Sequence, residues 1–238
     1  PAIPISIIRP FLNESLVLDE DVLRRAPYIV AFMGERMLGG QGDPVYVKGL
    51  HPSCSIPPGE NLAYAVFRPS PNYIDPITKE CLGYKATLIS HGELTQGGEP
   101  ATLLLTSIHG GVKIEDKVLI NNAPEFDVSF LPDTPSCPVK GIIIEMLGGL
   151  PIGSTQGAVG SVIVINKGAR EGLEPGNVLG VYAATRIVKD PKDSLTNITL
   201  PPERVGEAMV FKTFTKTSFA LIVRSTKAVY LMDLVDNP

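Results

Sequence analysis

The chain contains no tryptophan, and aromatic residues make up 6% of its 238 positions. A core built from it must therefore be aliphatic, and the missing indoles argue against a carbohydrate-binding platform. Cysteine is scarce too. Cys54, Cys81 and Cys137 stand far apart without a C-x-x-C pair, so zinc ligation is not expected and the thiols read as unpaired; one disulfide with a spare thiol is the alternative in an oxidising compartment. Net charge is -4 and no run of Lys or Arg exceeds two residues, which leaves no basic stripe for phosphates and excludes nucleic acid as an expected partner. No apolar run approaches the ~18 to 20 residues of a membrane helix. His51, His91 and His109 follow neither H-x-H nor H-E-x-x-H spacing, and the serines lack a G-x-S-x-G elbow. No metal site, cofactor or catalytic residue is therefore expected.

Gly and Pro, by contrast, are abundant, with 23 and 22 residues scattered between apolar runs. That texture belongs to many short strands joined by turns. The same plan also occurs twice. The first copy runs through Val45-Tyr46-Val47-Lys48-Gly49, Pro58-Gly59, Leu82-Gly83-Tyr84-Lys85-Ala86, Ala101 to Ser107 and Asp116-Lys117-Val118-Leu119. The second runs through Val164-Ile165-Asn166-Lys167-Gly168, Pro175-Gly176, Val205-Gly206-Glu207-Ala208-Met209, Ala220 to Ser225 and Asp233-Leu234-Val235. Duplicated units tolerate loop-length differences of this kind. The expected fold is all-β: two related small barrels or sandwiches, preceded by an extended arm and one short helix. The expected division is 1–36 for the arm and helix, 37–120 for the first domain, 121–138 for a proline-bearing linker and 139–238 for the second domain.

The prolines at 1, 4 and 10 argue against a helix at the N-terminus and for an extended arm. That arm offers Ile3, Ile5, Ile7 and Phe11 as apolar contacts for a partner. Asp19, Glu20 and Asp21 followed by Arg24, Arg25 and Pro27 mark the short helix, since the charge order complements the helix dipole. The chain opens at Pro1, not Met, so a leader or upstream domain is expected before it.

Polar candidates are few. Asp75 and Glu80 flank one loop, and a glycosidase needs two facing carboxylates; turn roles are the commoner outcome. Asp116 and Asp233 occupy equivalent places in the two copies, which suggests an Asx turn before the last strand. Arg68, Arg204 and Arg224 lie in or beside strands, where each would pair with a carboxylate on a sheet face; Arg68 and Arg204 are also candidate partner contacts. The Gly-rich stretch Lys167 to Val178 is read as tight turns with a single helical turn near Arg170-Glu171, because a phosphate loop needs a helix directly after its glycines. Phe211, Phe214 and Phe219 are read as the buried face of a last hairpin.

Several stretches together resemble a known family. They are Ile3-Pro4-Ile5-Ser6, Ile8-Arg9-Pro10-Phe11-Leu12, Leu18-Asp19-Glu20-Asp21, Ala26-Pro27-Tyr28, Val66-Phe67-Arg68-Pro69, Leu82-Gly83-Tyr84, Leu200-Pro201-Pro202-Glu203-Arg204-Val205-Gly206, Met209 to Phe214 and Ser218-Phe219-Ala220-Leu221. The chain resembles the C-terminal region of secretin-associated LysM-domain proteins of type IV pili (the TsaP family), and its second copy resembles the C-terminal domain of flagellar assembly protein T. The resemblance implies a non-enzymatic periplasmic scaffold at the outer-membrane pilus secretin ring, peripheral to the membrane and present in several copies. It also implies a link to peptidoglycan through a LysM domain that this chain does not contain. A cell-wall glycan-acting enzyme and a carbohydrate-binding module are the alternatives.

Overall fold

The computed structural model describes residues 5–34, 38–50, 63–121, 131–147, 155–185, 187–189, 192 and 197–238. The chain forms two compact units. One holds residues 10–72 and 83–126, the other residues 1–9, 73–82 and 127–238. The units therefore do not follow the linear division at 36, 120 and 138. Residues 73–82, which lie between two strands of the first barrel, belong to the second unit.

Helix α1 spans Ile5–Asn13, so the extended arm expected here is corrected to a helix, and the described residues hold two α-helices rather than one. Pro10 lies inside α1 and removes the N–H that would bond the Ser6 carbonyl, a loss of about 3 kcal/mol in a helix interior. Ile8 and Leu12, one turn apart, are 0% and 6% exposed. Burying two such side chains contributes about 1.5–3 kcal/mol each, enough to offset the proline. Strand β1 (Ser15–Leu18) and helix α2 (Glu20–Arg25) follow. Helix α2 is the expected short helix, with acids in its first turn and arginines in its last.

The first barrel comprises β2 (Tyr28–Phe32), β3 (Pro44–Lys48), β4 (Ala63–Ile74), β5 (Cys81–Gln96), β6 (Ala101–Ile108) and β7 (Lys117–Ile120). Strands pair in the order β2-β3-β6-β5-β4-β7, closing on β2, while β1 adds to β5 outside the ring. Alternation decides which side chains point inward. Val45, Val47, Leu103, Leu105, Val66 and Val118 are fully buried in the interior. The opposite face of the wall has its own small cluster of Ala65, Phe67, Ala86 and Leu88, covered by Leu18 of β1 and Leu23 of α2. Val22 of α2 is 42% exposed, so Leu23 is the apolar residue by which α2 packs on the wall.

The second barrel uses β8 (Gly141–Leu147), β10 (Val162–Ile165), β11 (Val178–Tyr182), β14 (Arg204–Thr213), β15 (Ser218–Ser225) and β17 (Leu234–Asp236). Short ribbons flank it: β9 (Gln156–Gly157) with β16 (Val229–Tyr230), and β12 (Ile187–Lys189) with β13 (Asn197–Thr199). The ring runs β8-β10-β15-β14-β11-β17 and closes on β8. Numbered within each barrel, both rings have the order first, second, fifth, fourth, third, sixth. The core is aliphatic, from Ile143, Ile163, Ile165, Leu179 and Ile222. Phe219 lies 4.9 Å from Phe214 and 6.3 Å from Phe211 between ring centroids, the apolar hairpin face expected of these residues.

The likeness extends below topology. Bulges fall at matched places: Ile29/Ala31 with Val164/Ile165 on the first two strands, and His91/Gly92 with Glu207/Ala208 and Leu94/Gln96 with Val210/Lys212 on the fourth and fifth. The Leu105 and Ile222 amides donate to the carbonyls of Asp43 and Ser161 at 3.1 and 2.9 Å. Asp43 and Ser161 in turn accept from the Gly40 and Ala158 amides at 2.8 and 3.1 Å. These pairings correct the register read from sequence. Val45 corresponds to Ile163, not Val164, and Leu103, not Ala101, to Ala220. Val205 corresponds to Ile89, so the Leu82–Ala86 landmark sat seven residues early. A slip of two, as at Ala101, leaves apolar alternation unchanged, and the slip of one at Val45 is hidden because all four residues of β10 are buried.

Candidate functional site

The densest polar arrangement gathers around residues 73–82, within the second unit. Asp75 closes the loop: its Oδ1 accepts from the Ile77 and Thr78 amides at 2.8 and 2.9 Å, an Asx turn. Its Oδ2 accepts from Asn166 Nδ2 at 2.8 Å. Burial raises the Asp75 carboxyl, but the amide donors and Asn166 outweigh it and hold the group below its ordinary value. Glu80 accepts both Nη groups of Arg170, at 2.8 and 3.0 Å, and pairs with Lys216 at 2.8 Å. The Arg170 and Lys216 hydrogen bonds lower it from 4.5 to about 2. Tyr73 donates its hydroxyl to Glu145, and burial followed by the Glu145 charge pushes the phenol far up. Lys216 Nζ also reaches the Cys81 carbonyl at 2.9 Å. Both carboxylates are held ionised, so neither is set up as the protonated acid of a glycosidase pair. What this arrangement does is fasten a loop.

The duplicated aspartates hold turns, but each accepts from an amide behind it rather than two residues ahead, so neither forms the expected Asx turn. Asp116 and Asp233 are each 3% exposed. Each Oδ2 accepts from the amide three residues earlier, Lys113 at 2.8 Å and Tyr230 at 2.7 Å. The preceding residues, Glu115 and Met232, have φ of 74° and 73°, a left-handed conformation that non-glycine residues adopt at a cost. The Oδ1 partners differ. Asp116 takes the Nε of Arg68 at 2.9 Å, with Arg68 Nη2 on its other oxygen at 2.7 Å. Asp233 takes the Ala184 amide at 2.8 Å. Arg68 is thus held in its own barrel, with a further bond to the Gly111 carbonyl at 2.7 Å. Arg204 pairs with Glu207 at 3.1 Å, and Arg224 reaches the same carboxylate at 3.6 Å, all on an exposed face.

The N-terminal candidates separate. Ile3 lies outside the described residues, as does the side chain of Ile5. Ile7 is 38% exposed and Phe11 is half-buried. His91 and His109 come together, ring centroids 5.9 Å apart, a neighbourhood their sequence separation concealed. Burial, then the His109 charge, lowers His91 below its ordinary value. Cys81 is half-buried and Cys137 exposed, and Cys54 is outside the described residues. Among the described residues no three His, Cys, Asp or Glu side chains gather as a metal would require, and no helix is long and apolar enough to cross a membrane. The expected single turn near Arg170 is present as a 3-10 turn, Ala169–Glu171.

Sequence reasoning missed Tyr73, Asn166, Arg170 and Lys216. Their partners lie 72 to 135 residues away, and nothing local marks them. It also missed Val188 and Ile198, a cross-strand pair on the β12–β13 ribbon, 39% and 40% exposed. A correct alignment of the two copies would have pointed to these, because each copy carries a hairpin between its third and fourth strands.

No protein-family model matches the chain, and no curated protein matches it.

Proposed function

We propose that this chain is a non-enzymatic periplasmic scaffold that docks on the outer-membrane secretin of a type IV pilus. A LysM domain elsewhere in the protein would supply its hold on peptidoglycan. The observation that carries the scaffold reading is what the two copies share. Asp116 and Asp233, and Asp43 and Ser161, are polar positions kept in both barrels, and every one of them ties down a turn. Both barrels thus use their matched polar groups for shape. The secretin as partner rests on the sequence resemblance alone.

One surface that suits docking is Ile7 on α1, since Gly160 lies close to its side chain and the neighbouring Val159 is 59% exposed. Removing residues 1–12 would strip Ile8 and Leu12 from the core, so the sharper test is Ile7→Asp. The wild-type chain should co-purify with detergent-solubilised secretin, and Ile7→Asp should weaken that capture at unchanged thermal stability. No capture of the wild type would overturn the secretin reading.

A further inference from the structure

The arms of the hairpins joining the third and fourth strands match in length, while the segments between them, 75–80 and 190–196, differ by one residue. Phe67 and Tyr182 are equivalent, facing Lys117 and Leu234 just past the duplicated aspartates. Ile74 ends β4 seven residues after Phe67, and Lys189 ends β12 seven residues after Tyr182. On the return strand, Ser90 and Gly206 are equivalent, facing Ile108 and Ser225. Cys81 opens β5 nine residues before Ser90, and Asn197 opens β13 nine residues before Gly206. Tyr73 therefore corresponds to Val188, and Leu82 to Ile198.

The burial of these counterparts differs sharply. Tyr73 and Leu82 are 9% and 1% exposed, and Val188 and Ile198 are 39% and 40% exposed. The first hairpin's end is covered within the second unit, by Glu145, Asn166, Arg170 and Lys216. These sit on β8, just after β10, on the turn that follows, and between β14 and β15. The second ribbon presents the same two positions, still apolar, with no cover among the described residues. An exposed two-stranded ribbon is marginal in water without a surface to lie on.

We propose that the β12–β13 ribbon docks on the first barrel of a second copy of this chain, so that copies join head to tail. The first barrel offers the matching strands, β2 and β3, and the matching turn between β5 and β6. Counting from the paired strands, Lys48 stands where the second barrel has Asn166; the β5–β6 turn is one residue shorter than the turn that carries Lys216, and Glu99, three residues before Thr102 as Lys216 is before Phe219, accepts the Gly49 amide at 3.1 Å. The charge at the turn is reversed. Lys216 receives Glu80 of the first hairpin, and the exposed Lys48 and Glu99 mark the corresponding edge of the first barrel. Contact between two different surfaces generates a ring if the rotation closes and a filament if it does not. This inference stands apart from the secretin reading and would survive its failure.

Sedimentation velocity of the 238-residue chain tests it, from about 1 to 100 µM, the range for an interface of modest size. The wild type should shift to larger species as concentration rises. The ribbon double variant Val188→Asp/Ile198→Asp and the barrel double variant Lys48→Glu/Glu99→Lys should each stay monomeric, with circular dichroism unchanged. Mixed together, they still hold one intact ribbon and one intact barrel face, and should form a dimer and nothing larger. A wild type that stays monomeric throughout overturns the proposal. So does a barrel variant that still associates, as ribbon-to-ribbon pairing or an unrelated surface would allow, and so does a mixture that stays monomeric while the wild type associates.

Discussion

In the first barrel the hairpin between the third and fourth strands ends in Tyr73 and Leu82, both buried. In the second it ends in Val188 and Ile198, about two-fifths exposed. Around this difference the scaffold hardly changes. Strand order, three bulges and both aspartate turns coincide, which shows which features a barrel of this size needs and which it can vary. The aspartate turn is kept, but its second oxygen takes a guanidinium from Arg68 in one copy and the neutral Ala184 amide in the other. The outer wall is kept as well. In the first copy β1 and α2 cover Phe67. In the second, Phe67 becomes Tyr182, whose ring lies over Gly180, where an added Cβ would come within 2.9 Å of it. A glycine there lets the aromatic ring close its own wall without an added strand.

The largest expected effect tests the shared turn. Asp116→Ala and Asp233→Ala should each destabilise their own barrel by about 2–3 kcal/mol, because a buried amide loses its acceptor next to a left-handed residue. Urea unfolding followed by amide exchange at Leu105 and Ile222 separates the barrels. A large effect in only one of them would break the equivalence. Arg68→Ala should cost the first barrel about 2 kcal/mol, below the range of a fully buried pair because Arg68 is partly exposed, and should leave the second untouched.

Gly206 and Ser90 sharpen the comparison at one position. An added Cβ on Gly206 would lie 2.5 Å from the Arg224 carbonyl. Ser90 has room for its Cβ, and its Oγ donates at 2.6 Å to the counterpart carbonyl of Ser107. Gly206→Ala should destabilise the second barrel by about 2 kcal/mol through crowding. Ser90→Ala should cost the first about 1 kcal/mol through a lost hydrogen bond. Equal losses in thermal melts would remove the distinction.

The smallest effects are pH-dependent. The folded state depresses Glu80 from 4.5 to about 2. Its contribution is complete above pH 4.5 and is lost as pH falls toward 2. The melting difference between wild type and Glu80→Gln should therefore shrink across that window. His91 is also depressed, by burial first, so the folded state favours its neutral form. Stability tied to it is complete above its ordinary 6.5 and declines as pH falls below that value. His91→Gln should flatten this decline in the first barrel. The second has Glu207 at the corresponding position and should not show it.

The all-β class and the pairing of Asp116 with Asp233 were readable in the sequence, because strand alternation and an aspartate that ties a turn to an amide three residues away are local. The N-terminal helix was not. Proline propensity pointed to an extended arm, and only the tertiary burial of Ile8 and Leu12 overrides it. Asp75 and Glu80 were visible as a suspicious pair, yet what they do depends on Asn166, Arg170 and Lys216, close in space but distant along the chain. The exposed ribbon was hidden by register: with Leu82 set against Val205 instead of Ile198, the two hairpins could not be compared.

Hydrogen exchange of the full chain at low and high concentration tests the central claim most directly. In dilute solution the amides of 187–189 and 197–199 should exchange quickly while those of 73–82 remain protected. At high concentration the ribbon amides should slow toward the protection of the first hairpin. Ribbon amides that exchange equally fast at every concentration would contradict the account.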